Sequence, residues 1–433
     1  MMSWVQSRYI MKYPVGWMRI GLLALVIIAN IVANYEGELA PVVPLLLPDL
    51  HLTITNYGFI VAASAVVSAI VAVISGPWID KYGRTFFVVA GTIVTAIAVF
   101  GMCLVHNTTQ FIVVRVIMAI ILGVSIPATT GLIRDFTPRV GRALGFGLWT
   151  FGPVGANYLA AGVAGATLPI FHNSWKSQFI IMGIFCLVVA IIVAFLIRDL
   201  SPGLRAQVVH DNTSVANVNH SAQAQNETIA SPKLVYGSFH IWALAIGIVL
   251  FLLLYFFTQA FGPIYLVTAF KYSPAEASTL ASYFWLANLV ALVVIGWVSD
   301  RLQLRKIFSF IGVIGLLIFM YFWIHLIGHH VSAGTMMVYT SLQGVLLGFG
   351  FGPWMALFSE NLEDIHPTLQ ATGWAIWSFV TNVLVAIAGS ITFPVAERFG
   401  FAAWFDVCWA GVVIYGVLIF VGRGPWFRRK QFK

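Results

Sequence analysis

The stretch Gly76-Pro77-Trp78-Ile79-Asp80-Lys81-Tyr82-Gly83-Arg84 sets three charges and a turn-forming glycine between two apolar runs, 54–79 and 85–105. Each run is long enough to cross a hydrocarbon layer about 30 Å thick, so the string reads as the polar turn between two antiparallel membrane helices. Gly83 allows the tight turn and Gly76 permits close helix packing. Asp80 can accept charge-assisted hydrogen bonds from Arg84 or from amides at a neighbouring helix N-terminus. Outward from this turn the pattern repeats along all 433 residues. Apolar runs occupy 17–47, 54–79, 85–105, 109–133, 143–168, 178–197, 239–270, 275–298, 307–327, 335–358, 369–396 and 401–421, twelve in all.

Composition agrees with that count. The chain is 60% apolar, 15% aromatic and only 9% charged, against about 25% charged in soluble globular proteins. A cytosolic enzyme and a disordered chain are excluded. The 23 Lys and Arg behind the +8 net charge are too dilute to coat a phosphate backbone, so no nucleic-acid partner is expected. Cys103, Cys186 and Cys408 stand singly in apolar runs and read as small buried hydrophobes rather than a disulfide framework or a thiolate metal site. The sequence has no nucleophile elbow, phosphate-binding loop, HExxH pair or dinucleotide glycine pattern, so neither catalysis nor ATP-driven work is expected. The first run carries Asn30, Asn34, Glu36 and Glu38 and is too long for a cleaved signal segment, so it is expected to be retained.

A degraded copy of the opening string, Gly296-Trp-Val-Ser-Asp300-Arg301-Leu-Gln303-Leu304-Arg305, follows the eighth run, with Gln303 replacing the turn glycine and Leu304 the arginine. Between the sixth and seventh runs, 199–236 is rich in Asn, Ser, Gln and Ala and reads as a linker. The chain then divides into a terminal segment 1–16, six helices in 17–198, the linker 199–236, six helices in 237–422 and a basic tail 423–433. With the N-terminus inside, 19 basic residues fall on the cytoplasmic side and three (Lys176, Lys271, Arg398) outside, leaving Arg115 within a span. Both termini are expected to be cytoplasmic. One loop departs from the rule: Glu360 to Ile365 should be cytoplasmic but holds no Lys or Arg.

The two strings, each after the second helix of a six-helix half, resemble the loop motif G-x-x-x-D-R/K-x-G-R/K of the major facilitator superfamily. The resemblance implies an all-α membrane protein with twelve transmembrane helices in two pseudo-symmetric six-helix bundles, working as a monomer in the lipid bilayer. It also implies that Gly76, Asp80, Lys81, Gly83, Arg84, Asp300, Arg301 and Arg305 act as a cytoplasmic latch between the halves. Arg115, Pro127 and the run Phe136-Thr-Pro138-Arg139-Val-Gly-Arg142-Ala are similar to the anion:cation symporter branch, which moves sugar acids and other organic anions. Where that branch carries Asp-Arg in its first span this chain has Tyr35-Glu36, and Leu122 stands where it often has a glutamate. A substrate-binding cation is thus missing from the first helix. Gly152-Pro153-Val-Gly155-Ala156 partly resembles the signature of drug/proton antiporters, without its closing glycine pair.

A charge at the bilayer centre costs at least about 2.5 kcal/mol, which confines it to protein-facing or water-facing positions. Glu36, Glu38, Arg115 and Asp406 are the charges inside the runs. Asn30, Asn34 and Glu38 recur every four residues on one helical face, with Glu36 about 200° from Glu38. Gly37, Pro41, Pro44 and Pro48 favour a break in that helix. Burial and an adjacent arginine act in opposite directions on a carboxylate's proton affinity, so Glu36, Glu38 and Arg115 are the expected proton-coupling set. The alternative is a permanent ion pair clamping two helices. Asp406 reads as an interfacial cap, and His325, His329 and His330 as loop residues near an interface rather than a metal site. Candidates for a central cavity are Asn30, Asn34, Tyr35, Trp149, Asn157, Tyr255, Gln259, Tyr283, Asn288, Gln343, Trp374, Trp377 and Asn382, with belt or packing roles as the alternative for each. The expected function is transport of a small organic solute by alternating access in a bacterial inner membrane. The proton gradient is the expected energy source, with no cofactor. Organic-anion or sugar-acid symport is favoured over proton-driven efflux of lipophilic compounds, and a non-transporting receptor or enzyme on the same fold is the third reading.

Overall fold

The computed structural model describes residues 8–35, 39–137, 148–201, 204, 233–302, 304–365 and 370–427. Among the described residues ten helical stretches are long and apolar enough to cross a membrane. Two details bring these to twelve spans. The fifth, Phe151–Thr167, has 17 residues, two fewer than the shortest of those ten. The stretch Gln370–Leu418 is two helices, 370–399 and 401–418, broken at Gly400, whose φ of 84° is one that side chains disfavour. The remaining spans include Arg84–Met102, Trp175–Leu196, Lys306–His325 and a seventh made of Phe239–Phe251 and Leu253–Phe270.

The first span departs from a simple helix. Run 17–47 becomes helix Gly16–Asn34, a 3-10 turn Ala40–Val42 and a short helix Val43–Asp49. Pro41 and Pro44 sit in the first turns of the later pieces, where a missing N–H breaks no helical hydrogen bond. The second, fourth, eighth and tenth spans are Ile54–Tyr82, Thr108–Phe136, Pro274–Leu302 and Ala333–Glu363. At 1.5 Å per residue each is more than about 40 Å long, beyond a hydrocarbon core of about 30 Å. The second helix therefore runs through Gly76, Asp80 and Lys81, and the turn shrinks to Gly83, with φ 92°. A short parallel pair, Tyr9–Ile10 with Asp199–Leu200, was not foreshadowed by the sequence.

By their contacts the residues form two units, 1–38 with 66–160 and 174–228, and 39–65 with 161–173 and 229–433. Within the second unit, the ends of the first, second and fifth spans farthest from the termini, here called the far side, pack on those of the seventh, eighth and eleventh. Thr55 donates to Glu397 at 2.8 Å, and the Ser278 hydroxyl to the Pro41 carbonyl at 3.3 Å. A Cβ at Gly58 would lie 2.4 Å from the Gly389 carbonyl oxygen, so the bare backbone there sets how closely the second and eleventh spans approach.

Candidate functional site

In the first unit a polar thread joins three spans. Asn30, fully buried, donates from its side-chain amide to the Trp149 carbonyl at 3.0 Å, and Asn34 donates to the Asn30 side chain at 3.0 Å. Trp149 donates through its indole to Thr129 on the fourth span at 3.2 Å. Gly152 makes the thread possible: a Cβ there would stand 2.0 Å from the Asn30 amide nitrogen. Tyr35 is buried, and Asn157, also buried, donates to the Pro153 carbonyl on its own helix at 2.9 Å. Arg115 is 4% exposed on the fourth span, seven residues or roughly 10 Å in from its far-side end. Glu36 and Glu38 lie outside the described residues.

The motif residues anchor the side of the termini. The Arg84 guanidinium forms an ion pair with Asp135 at the end of the fourth span and donates to the Gly131 carbonyl at 2.8 Å. The backbone N–H groups of Arg84 and Thr85 donate to the Asp199 carboxylate at 3.1 and 3.3 Å, so a residue after the sixth span caps the third helix. The second half repeats the arrangement with an offset. Arg305 pairs with Glu360 at the end of the tenth span at 3.0 Å and donates to Ser299 at 3.1 Å. Leu304 occupies the slot of Arg84 in the string, and the next residue supplies the guanidinium. Glu360, the acid that broke the positive-loop pattern, is that guanidinium's partner. Arg301 lies over the Trp297 ring at 5.4 Å. The side chains of Asp80, Lys81 and Asp300, and the surroundings of Gly76, lie outside the described set.

In the second unit the candidates separate. Gln343, buried, donates to Thr258 on the seventh span at 2.7 Å. Asn288 donates to the Gly344 carbonyl at 2.9 Å, tying the eighth span to the tenth where a Cβ at Gly344 would meet the Phe284 carbonyl at 2.3 Å. Tyr255 packs edge-on against Trp285 at 5.3 Å, and Gln259 is half-buried one turn on. Trp374 and Trp377 join Trp354 and Phe358 in an aromatic cluster near the end of the tenth span. Asn382 donates to the Ser378 carbonyl of its own helix at 2.9 Å, and Tyr283 is exposed. The structure thus gathers Asn30, Asn34 and Trp149 in one unit, and Gln343 with Thr258 in the other. Asp135, Asp199, Glu360, Thr129, Thr258 and Gly152 were missed as participants. Glu360 carried a sequence signal as the acid in a loop expected to be basic, and Gly152 one as part of the Gly-Pro string, though not as the neighbour of Asn30.

Twelve spans, a motif repeated in both halves and matched arginine–acid pairs correspond to a known family model. The Major Facilitator Superfamily model matches residues 21–390. The chain belongs to that superfamily. It is an integral membrane protein of that family of transporters. Quinolone resistance protein NorA of Staphylococcus aureus is 31% identical over 137 residues, 32% of this chain, and the match spans 35% of NorA's length. The gallate transporter of Pseudomonas putida is 22% identical over 411 residues, covering 90% of this chain and 87% of that one. Among solved structures, a D-xylose-proton symporter superposes with a TM-score of 0.70 at 15% identity, over 93% of this chain and 97% of that one. A bacterial homologue of the human lysosomal transporter Spinster, inward-facing and occupied, gives 0.69 at 14%, over 94% and 97%. These two likenesses establish the fold.

Proposed function

We propose that the protein is a proton-coupled symporter of a small organic anion, working by alternating access in a bacterial plasma membrane with both termini cytoplasmic. The observation that carries this reading is Arg115, a guanidinium 4% exposed within a span. A planar, permanently charged fork at such depth suits a carboxylate, whether of a neighbouring helix or of a solute. Glu36 and Glu38, two and four residues beyond Asn34, are the titratable groups assigned to the proton. The likeness to a gallate transporter over 90% of the chain supports a carboxylate solute. The distribution of basic residues supports the orientation.

The second reading is proton-driven efflux of lipophilic compounds, favoured by the partial match to NorA. Purified protein in liposomes separates the two. Hydroxybenzoates, sugar acids and a quinolone are offered in turn while external pH is recorded. Symport predicts that hydroxybenzoate or sugar-acid entry alkalinises the outside and that Arg115→Ala abolishes it. Quinolone movement opposite to the proton flux, with no anion uptake, refutes the proposal.

A further inference from the structure

The second unit holds a partly open cavity of about 20 Å³ lined by the seventh, eighth, ninth, tenth and twelfth spans. Its walls are mostly aromatic, yet five polar side chains reach it: Thr258, Tyr265, Trp323, Thr340 and Gln343. Three of these have their needs met within the protein. Thr258 donates to the Leu254 carbonyl at 2.8 Å and accepts from Gln343, and Thr340 donates to the Met337 carbonyl at 3.1 Å. Tyr265 and Trp323 are different. They are 1% and 4% exposed, and neither the Tyr265 hydroxyl nor the Trp323 indole nitrogen completes a hydrogen bond among the described residues.

The Trp323 N–H approaches the Tyr265 hydroxyl oxygen without completing a bond, and the hydroxyl's own proton has no acceptor among the described residues, which specifies what the cavity takes. The guest must be small, must offer lone pairs, and must not carry a charge that the aromatic walls cannot solvate. A volume of 10–15 Å³ on this measure admits one water molecule, so about 20 Å³ admits one water and no organic solute. We propose that this cavity is a hydration site, in which one water accepts from Tyr265 and Trp323 and donates towards the Gln343 and Thr258 pair. The water then links the ninth span to the seventh and tenth, which Gln343 and Thr258 already join. It makes three spans of this unit move as one body. The site lies wholly within one unit and does not depend on which solute is carried.

The sign of one substitution tests this. In a dry cavity the Tyr265 hydroxyl is a desolvated group without a partner, and Tyr265→Phe removes that penalty and raises Tm or leaves it unchanged. With water bound, Tyr265→Phe deletes a made hydrogen bond and leaves the water under-coordinated, so Tm falls. X-ray hydroxyl-radical footprinting of the full-length wild-type protein in ¹⁸O-labelled water is the second measurement, and it needs no variant. Oxidation of Trp323, 4% exposed, well above that of Trp175, which is buried to the same degree at 5%, and of Trp354, which is 0% exposed and donates to the Leu244 carbonyl, is the expected result. Trp323 labelling no greater than that of Trp175 and Trp354, or a Tm that Tyr265→Phe raises or leaves unchanged, overturns the proposal.

Discussion

Gly58→Ala tests the far-side contact of the second unit most directly. The added Cβ would stand 2.4 Å from the Gly389 carbonyl oxygen, whereas ordinary contact begins at 3.4 Å, so the two helices must part by about 1 Å or the side chain cannot be seated. The obstacle is backbone on a helix held by Thr55 to Glu397 and by Phe261 against Phe393, not a flexible side chain that can swing away. Overpacking of this kind costs about 1–3 kcal/mol. Alternating access, as proposed, requires this contact to open once per cycle, so the penalty falls on the closed far side alone. The equilibrium then shifts by about 5- to 150-fold towards the open far side. The assay is the rate at which a membrane-impermeant maleimide labels Ala62→Cys, which neighbours Gly389, in right-side-out vesicles of a Cys103→Ser background. Labelling should accelerate by that factor in Gly58→Ala. An unchanged rate in a folded variant refutes the reasoning, because it means that the contact is not one the transport cycle breaks.

Gly152→Ala should displace the Asn30 amide from Trp149 and lower both Tm and transport, and adding Asn30→Ala, which vacates the space, should recover the Tm but not the transport. Asp199→Asn removes the charge that faces two N–H groups of the third helix, a loss of about 1 kcal/mol, and amide exchange at residues 84–88 should quicken while that at the sixth span does not. Arg305→Ala should be the costlier half of its pair, about 2 kcal/mol, because it removes the hydrogen bonds to both Glu360 and Ser299, whereas Glu360→Gln keeps an acceptor for the guanidinium. Glu360→Gln, at a side chain 46% exposed, should cost under about 1 kcal/mol; chemical denaturation in detergent reads both, and equal losses would show that the acid is not solvent-relieved.

The span count and the motif turns were legible in the sequence because hydrocarbon forces every backbone polar group into helix, and long apolar runs have few other uses. The break in the first span was legible too, from Pro41 and Pro44. Partners were not. The Asp80 side chain lies outside the described residues, and the described acids at Arg84 are Asp135, fifty-one residues on, and Asp199 beyond the sixth span. Nothing local marks either, since pairing across spans is set by which helices lie side by side.

What the sequence determined by itself was therefore the one-dimensional part: where the chain enters and leaves the membrane, which residues are costly to bury, and the family to which the opening string of glycines and charges belongs. Only tertiary structure decided which costly groups meet. Arg305 takes up the task of Arg84 from a shifted position because helix ends, not sequence registers, bring a guanidinium to an acid. Asn30 reaches Trp149 because Gly152 leaves room for it, and the Asn288 amide meets a carbonyl of the tenth span because Gly344 lets that span approach. Polar side chains inside a membrane must find partners, and the distances between helices select which partners those are.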